Sequence, residues 1–253
     1  MNFSQLSDPT SIAILCFGLF LGGVLKGATG AGLPIIAIPF IASVFDIRVA
    51  VVVLVVPNFF INLWQMFKFR SSNTQPELSR NFAFAGFLGA GIGTVLLAFL
   101  PVTVLGLLAA VTVLAYVVLR IAKPTFKLSL AVAKRFVYPV GIVAGSLQGA
   151  LGLSSPLSIT FMHSIKLERE TFIYSISVFF AVLSLMQLPV QLWFGLSTVK
   201  LALLSTLALI PMLIGLYVGD YFGKRMKPAL FDATILCLLV IVALKLIFDA
   251  FTF

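Results

Sequence analysis

The sequence predicts an all-α polytopic membrane protein made of two inverted repeats, each a broken-helix hairpin followed by three transmembrane helices. Three observations favour this fold. Of the 253 residues, 61% are hydrophobic and only 10% are charged, whereas about a quarter of the residues in an ordinary soluble domain are charged. Long apolar segments recur in the same order in both halves, and glycines interrupt the beginning of each half. The composition therefore excludes a soluble globular protein.

Each half contains five apolar segments. They are residues 12–26, 33–45, 49–67, 82–100 and 102–121 in the first half, and 136–148, 153–165, 171–194, 201–222 and 230–248 in the second. A helix that crosses a bilayer needs about 17–25 residues. The last three segments of each half reach this length, and the first two fall short of it. We therefore expect each half to consist of one hairpin of two short helices and three full crossings.

The two interruptions share a pattern of small residues. With an offset of 122 positions, Gly27 aligns with Gly149, Gly30 with Gly152, and Pro34 with Pro156. Later in each half, the Gly-xxx-Gly pairs Gly89/Gly93 and Gly215/Gly219 also correspond, and this spacing lets helices approach closely. We therefore divide the chain into a first repeat (1–122), a basic cytoplasmic linker (123–135) and a second, inverted repeat (136–253).

The basic residues support this topology. A hairpin returns to its own side and three crossings reach the other side, so the second half begins on the opposite face. One side then collects thirteen basic loop residues: Lys68, Arg70, Arg80, Arg120, Lys123, Lys127, Lys134, Arg135, Lys166, Arg169, Lys224, Arg225 and Lys227. The other side collects two, Arg48 and Lys200. The positive-inside rule places the richer side in the cytoplasm and both termini outside.

The glycine-rich interruptions are the predicted binding site. Backbone that leaves helical hydrogen bonding inside a membrane is tolerated where it lines a cavity or is buried in protein. A new helix starts after each interruption, with Pro34 or Pro156 in its first turn and Ser155 as an expected N-cap. Free N–H groups and the positive end of the helix dipole favour an anion. We expect the two tips to meet near the midplane; the alternative is that the glycines only pack helices together.

Lys26 strengthens the prediction of an anion site. It lies at the first tip, where Gln148 is its counterpart in the second repeat. A lysine at membrane depth costs a few kcal/mol unless it is paired, and the sequence places every Asp and Glu near a segment end or in a loop. The counter-ion would then be the substrate. The alternative is that Lys26 extends to the interface or donates to carbonyls of the tip.

Uncharged polar residues complete the predicted site. Asn58, Asn62 and Gln65 are spaced by four and three residues and so share one helix face. Hydroxyls and amides donate hydrogen bonds to oxyanions without adding charge. The predicted substrate-binding residues are Lys26, Gly27, Thr29, Gly30, Gly32, Asn58, Asn62, Gln65, Gln148, Gly149, Gly152, Ser154, Ser155 and Gln187.

The same residues argue against other classes of function. The basic residues lie in short loops, so we predict no nucleic-acid partner. The single histidine lies near a segment end and the two cysteines lack metal-ligand spacing, so we predict no catalytic residues, no metal and no cofactor. The expected partners are the lipid bilayer and a small anion, and a homodimer is left open.

The repeated pattern Gly-xxx-Gly-xxx(x)-Gly-Ala-x-Gly-xxx-Pro, its spacing from Asp46 or Glu168, and the late Gly-xxx-Gly pairs resemble the TauE/SafE family of sulfite and organosulfonate exporters. The resemblance spans nearly the whole chain and includes Gly27, Gly30, Gly32, Pro34, Gly149, Gly152 and Pro156. It implies a multi-pass protein of the bacterial inner membrane that transports a small sulfur-containing or carboxylate anion at the paired glycine-rich segments. The chain departs from the family at Leu153-Ser154-Ser155, where a denser glycine run is usual.

Energetics favour export. An inside-negative potential drives a monoanion outward with about 2.3 kcal/mol per 100 mV. We therefore expect export by alternating access around the hairpin site. The alternatives are an anion channel and a proton-coupled carboxylate or sulfonate permease.

Overall fold

The computed structural model describes residues 8–122 and 127–223, together with Val240 and Leu244. All regular secondary structure in these residues is helical, which confirms the predicted all-α fold. The described residues contain seven helices that are long and apolar enough to cross a membrane: Pro9–Thr29, Ile47–Lys68, Pro76–Phe99, Val102–Leu119, Leu130–Leu151, Arg169–Trp193 and Val199–Tyr221. Three predicted loop residues lie outside the described residues: Lys224, Arg225 and Lys227. The last predicted segment, residues 230–248, also lies outside them except for Val240 and Leu244.

The helices follow one another with short connections. In chain order they are α1 (Pro9–Thr29), α2 (Leu33–Ala42), α3 (Ile47–Lys68), α4 (Pro76–Phe99), α5 (Val102–Ala122), α6 (Leu130–Leu151), α7 (Ser155–Ser164), α8 (Arg169–Trp193), α9 (Val199–Leu207) and α10 (Leu209–Gly223). Only Ala208 separates α9 from α10, and together they form one crossing. Helix α6 begins inside the segment that the sequence assigned to a linker.

Acidic residues begin two of the helices. The Asp8 carboxylate accepts hydrogen bonds from the N–H groups of Thr10 and Ser11 and so caps α1. The hydroxyl and the N–H of Ser11 hold the pKa of the Asp8 carboxyl below its usual value. Asp46 caps α3 by accepting from the N–H of Arg48 at 2.7 Å. These caps satisfy N–H groups that have no partner within the helix.

The first arm of each hairpin is longer than predicted. Residues 12–26 and 136–148 were expected to form short helices, but α1 has 21 residues and α6 has 22, enough to cross a bilayer. Only the second arms, α2 and α7, are short, with 10 residues each. The glycines near the tips do not end the first arms. Each arm continues to the residue that turns left-handed, Gly30 (φ +83°) or Gly152 (φ +69°), because a glycine adopts that conformation without strain.

Glycine faces let four helices approach backbone to backbone. A Cβ atom at Gly145 would fall on the carbonyl oxygen of Gly86, so α6 and α4 touch without side chains between them. A Cβ atom at Gly27 would likewise fall on the carbonyl oxygen of Leu216, where α1 meets α10. Each first arm thus packs against a helix of the other half of the chain. The repeat symmetry stays a prediction.

The loops gather at two ends. At one end, which we call the basic end (residues 68–80, 127–135 and 164–171), the Thr171 hydroxyl donates to the carbonyl oxygen of Ser72 at 2.6 Å. At the opposite end (residues 43–48, 97–102 and 194–198), the Arg48 guanidinium donates to the carbonyl oxygen of Leu100 at 2.7 Å. The predicted order of crossings groups the loops in the same way, with residues 68–80 and 164–171 at one end and residues 43–48 and 97–102 at the other.

The two hairpins pack against each other, and each tip also contacts a long helix near its start. Gly30, in the first tip, packs against Ile173, which is four residues from the start of α8 at the basic end. Gly152, in the second tip, packs against Val51, which is four residues from the start of α3 at the opposite end. A Cβ atom at Gly152 would also overlap Ile38 of α2, and one at Gly32 would lie 3.8 Å from Ile159 of α7, so each tip also contacts the other hairpin. The meeting of the tips near the midplane stays a prediction.

The glycine contact between α4 and α6 yields a stability prediction. Gly145→Ala should lower the melting temperature of the purified protein, because the new methyl group overlaps the Gly86 backbone and overpacking costs about 1–3 kcal/mol. Gly106→Ala in α5 is the matched control, since a Cβ atom there meets nothing within 4 Å. Alanine in a helix interior is favoured over glycine by about 0.5–1 kcal/mol, so the control should melt at the same or a higher temperature. Equal melting temperatures for the two variants would contradict the packing described.

Candidate functional site

The first tip is held by its own backbone and by Thr29. The N–H of Gly30 donates to the carbonyl oxygen of Lys26 at 2.7 Å and closes α1. The Thr29 hydroxyl lies 2.9 Å from the carbonyl oxygen of Leu25 and 2.8 Å from that of Ala31. Gly32 then precedes α2 in a left-handed conformation. Thr29 is therefore at the tip as predicted, but its proton is engaged by backbone carbonyls.

The second tip is organised by Gln148. Its side-chain oxygen accepts hydrogen bonds from the N–H of Ser154 at 3.3 Å and from the Ser154 hydroxyl at 3.0 Å. Ser154, and not Ser155 as predicted, occupies the N-cap position of α7, and its side chain makes no capping bond. The Ser154 backbone is already helical (φ −81°, ψ −18°), whereas an N-cap residue whose side chain caps the first turn is typically extended. Ser155 is the first residue of α7, and Pro156 follows it in the first turn as predicted.

Lys26 is enclosed and bonded to a neutral group. Only 1% of its surface is exposed, and its Nζ donates to the Oδ1 atom of Asn62 at 2.8 Å. The Asn62 amide nitrogen donates to the Oδ1 atom of Asn58 at 2.8 Å, and the Asn58 amide nitrogen donates to the Ser184 hydroxyl at 3.3 Å. Within the described part of the chain, no carboxylate pairs with Lys26. The predicted alternative, a bond from Lys26 to tip carbonyls, is not the contact found.

Helix α8 adds a row of buried polar residues that sequence reasoning largely missed. We call Ser177, Ser184, Gln187 and Gln191 the polar face of α8; all four are fully buried. Their spacings of seven, three and four place them on one side of the helix. Only Gln187 was predicted. The helical spacing of the other three from Gln187 is the signal that could have identified them.

The polar face of α8 connects the two tips. Ser177 donates to the Oε1 atom of Gln65 at 3.0 Å, and Ser184 accepts from Asn58. One turn further on, the Gln187 amide nitrogen donates to the backbone oxygen of Gln148 at 3.2 Å. Hydrogen-bonding groups therefore extend from the α3 amides next to Lys26 to the second tip.

A crevice of about 400 Å³ leads from the basic end to the first tip. Gly27, Gly30 and Gln65 line its inner part. Lys68, Arg169 and Asp220 also line it, which leaves a net positive charge. At the second tip, in contrast, Gln148, Ser154, Ser155 and Gln187 are all buried. The first tip thus borders a crevice, and the second is enclosed.

The chemistry of these groups suits hydrogen bonding to an oxyanion. They are amides, hydroxyls, backbone N–H groups and one lysine, which bind oxyanion oxygens without metal. Among residues 8–122 and 127–223, no group of three or more His, Cys, Asp or Glu side chains could hold a metal ion.

Comparison with known proteins identifies the family. A family model described as "Sulfite exporter TauE/SafE" matches residues 14–246, which is nearly the whole chain. No curated protein and no solved structure matches it. The match agrees with the all-helical architecture and the seven candidate membrane crossings. The chain therefore belongs to the TauE/SafE family of sulfite exporters, which are membrane transporters.

Proposed function

We propose that this protein exports a small sulfur anion, a sulfonate or sulfite, across the bacterial cytoplasmic membrane, and that it is a transporter without catalytic activity. The observation that carries this proposal is the buried side chain of Lys26, which has a neutral amide oxygen as its partner. The substrate anion supplies the charge that the protein leaves unpaired.

The magnitudes favour an anion beside Lys26. A lysine costs at most about 2.5–3.5 kcal/mol on insertion scales, the value for the centre of a membrane helix, and Lys26 lies in the last turn of α1. A hydrogen bond from a charged group to an amide returns about 1.5–3 kcal/mol. An anion 4 Å from the ammonium contributes about 4 kcal/mol at an effective dielectric constant of 20. An entering anion that replaces the Asn62 oxygen therefore gains attraction to the ammonium, from which the cost of desolvating the anion is subtracted.

One-sided access supports alternating access over a channel. The crevice borders the first tip, while the polar groups of the second tip are buried. A channel needs a continuous open path, whereas a transporter exposes its site to one side at a time. A crevice at the first tip and enclosed polar groups at the second support the second arrangement, with Lys26 itself buried beside the crevice.

Two helices of the site contain prolines at which they can bend. Pro57 lies in the interior of α3, next to Asn58, and Pro189 lies in α8 between Gln187 and Gln191. Proline cannot donate to the carbonyl four residues earlier, and helices bend where that bond is absent. Bending at these points would move the polar groups relative to the hairpins, as alternating access requires.

The proposed direction of transport depends on which end faces the cytoplasm and on the membrane potential. With the basic end in the cytoplasm and both termini outside, the crevice faces the cytoplasm, where the membrane potential repels anions outward. Uptake coupled to protons would need an acid at membrane depth. Five carboxylates within the described ranges lie at helix ends, namely Asp8, Asp46, Glu77, Glu168 and Glu170, and Asp220 of α10 lines the crevice.

Replacing Lys26 tests the proposed site. Lys26→Met keeps the length of the side chain and removes its charge, so the affinity for sulfite and for methanesulfonate should fall more than tenfold. The measurement is thermal stabilisation of the purified protein across a titration of each anion, because a ligand stabilises the folded state according to its occupancy.

Lys68→Met is the matched control. Lys68 lines the outer crevice and is exposed to solvent, where salt screens its charge. Its loss should change the affinity less than threefold. Equal affinities of the Lys26→Met variant and the wild type for every anion would overturn the role of Lys26, and an absence of stabilisation by any anion in the wild type would overturn the proposed function.

Asn62→Asp should place a carboxylate of the protein where the substrate anion is proposed to bind. The new carboxylate would lie 2.8 Å from the Lys26 Nζ and pair with it. It would then compete with a free sulfur anion for Lys26. We expect a loss of anion affinity of more than tenfold, and no gain in melting temperature is expected because the second carboxylate oxygen cannot make the two bonds that the Asn62 amide nitrogen donates to Asn58. In a Lys26→Met background the same change should lower the melting temperature, because the carboxylate is then buried without a partner. Anion binding by Asn62→Asp at wild-type affinity would refute the competition.

The proposed orientation has its own test. In a variant without native cysteines, Ser71→Cys at the basic end should be protected from a membrane-impermeant thiol reagent added to intact cells. Val199→Cys at the opposite end should react, and both positions are exposed in the structure. The reverse labelling pattern would place the basic end outside.

A further inference from the structure

Four buried polar atoms beside the second tip have no hydrogen-bond partner. Among the residues that the structure describes, they are the Ser155 hydroxyl, the Oε1 atom of Gln187, and both the nitrogen and the oxygen of the Gln191 amide. All three side chains are fully buried. Buried polar groups in folded proteins are almost always hydrogen-bonded, and an unsatisfied one destabilises the fold. Four together indicate a site whose partner is a bound molecule.

These atoms are grouped by the structure of the tip. Gln187 donates to the backbone oxygen of Gln148, and Ser154, the neighbour of Ser155, donates to the Gln148 side chain. Gln191 follows Gln187 by one turn on the polar face of α8. Ser155 begins α7, where Pro156 has no N–H and the N–H of Leu157 donates to the carbonyl oxygen of Ser154 at 3.0 Å. The tip and α8 therefore present their unused groups in the same region.

The chemistry of the four atoms differs from that at Lys26. Donors are the Ser155 hydroxyl and the Gln191 amide nitrogen, and acceptors are the Gln187 and Gln191 amide oxygens. None belongs to a charged side chain. A fully ionised oxyanion only accepts hydrogen bonds, so it would leave both amide oxygens unsatisfied. A group with its own proton satisfies donors and acceptors alike.

We propose that Ser155, Gln187 and Gln191 form a second binding site, which takes a small uncharged polar group that both donates and accepts hydrogen bonds, such as the protonated oxygen of a sulfur oxyacid or a sulfonamide. Its use during transport rests on the proposed function. In that setting the substrate is held by charge at Lys26 and by neutral hydrogen bonds at the second tip.

Isosteric probes separate the two sites. Methanesulfonate is charged and only accepts, methanesulfonamide is neutral and also donates, and dimethyl sulfone is neutral and only accepts. Methanesulfonamide should stabilise the wild-type protein against heating, with at least tenfold higher affinity than dimethyl sulfone. Gln191→Leu should lose more than tenfold in methanesulfonamide affinity and keep its methanesulfonate affinity, whereas Lys26→Met should show the reverse.

The control variants keep the test decisive. Ser155→Ala removes one unpartnered hydroxyl with little change in volume, and it covers the case in which Gln191→Leu does not fold. Ser175→Ala removes a buried hydroxyl of α8 that is already bonded to the Thr171 carbonyl oxygen, so its probe affinities should match those of the wild type. The second site is overturned if methanesulfonamide does not stabilise the wild type, or if Gln191→Leu or Ser155→Ala retains its full affinity. The methanesulfonate titrations report on the proposed function separately.

Discussion

The direct backbone contact of glycine-bearing helices is the constraint on which this structure depends. In a bilayer, apolar side chains gain little by leaving lipid, so helices associate through close packing. Glycines on α6 and α1 meet backbone on α4 and α10 without intervening side chains. These contacts fix the first hairpin arms in place, and only a fixed arm can end in a left-handed glycine and leave backbone groups free at membrane depth.

The length of those arms determines where the polar groups must lie. Because α1 and α6 are long enough to cross, each tip lies beside the second arm of the other hairpin. The distance between the tips is covered by α3 and α8, whose buried amides and hydroxyls bond to each other and to the second tip. The hairpins therefore provide the ends of the polar region, and the two long helices provide its middle.

The sequence was sufficient for the fold class, the family and the enclosed lysine, and insufficient for the lengths of the first hairpin arms. Composition and segment lengths reflect the bilayer directly, so the crossings were predictable. The helix ends were not, because Gly27 and Gly149 continue a helix when a partner backbone packs on them, and no local signal reports that partner. Ser177 and Ser184 were missed for a similar reason: a serine in a membrane helix is equally common at an ordinary helix contact.

The two ends of the polar region differ in charge, and under the proposed export this difference would set where the anion is captured, while the electrochemical gradient sets the direction. At the end near the crevice, Lys26 would hold an anion by electrostatic attraction, and Lys68 and Arg169 would raise its local concentration. At the second tip only neutral amides and hydroxyls are available. An exporter must capture its substrate where the substrate is dilute and release it at the far side. A site that binds strongly at the entrance and weakly at the exit meets both needs, and the membrane potential supplies the free energy for passage from the stronger to the weaker site.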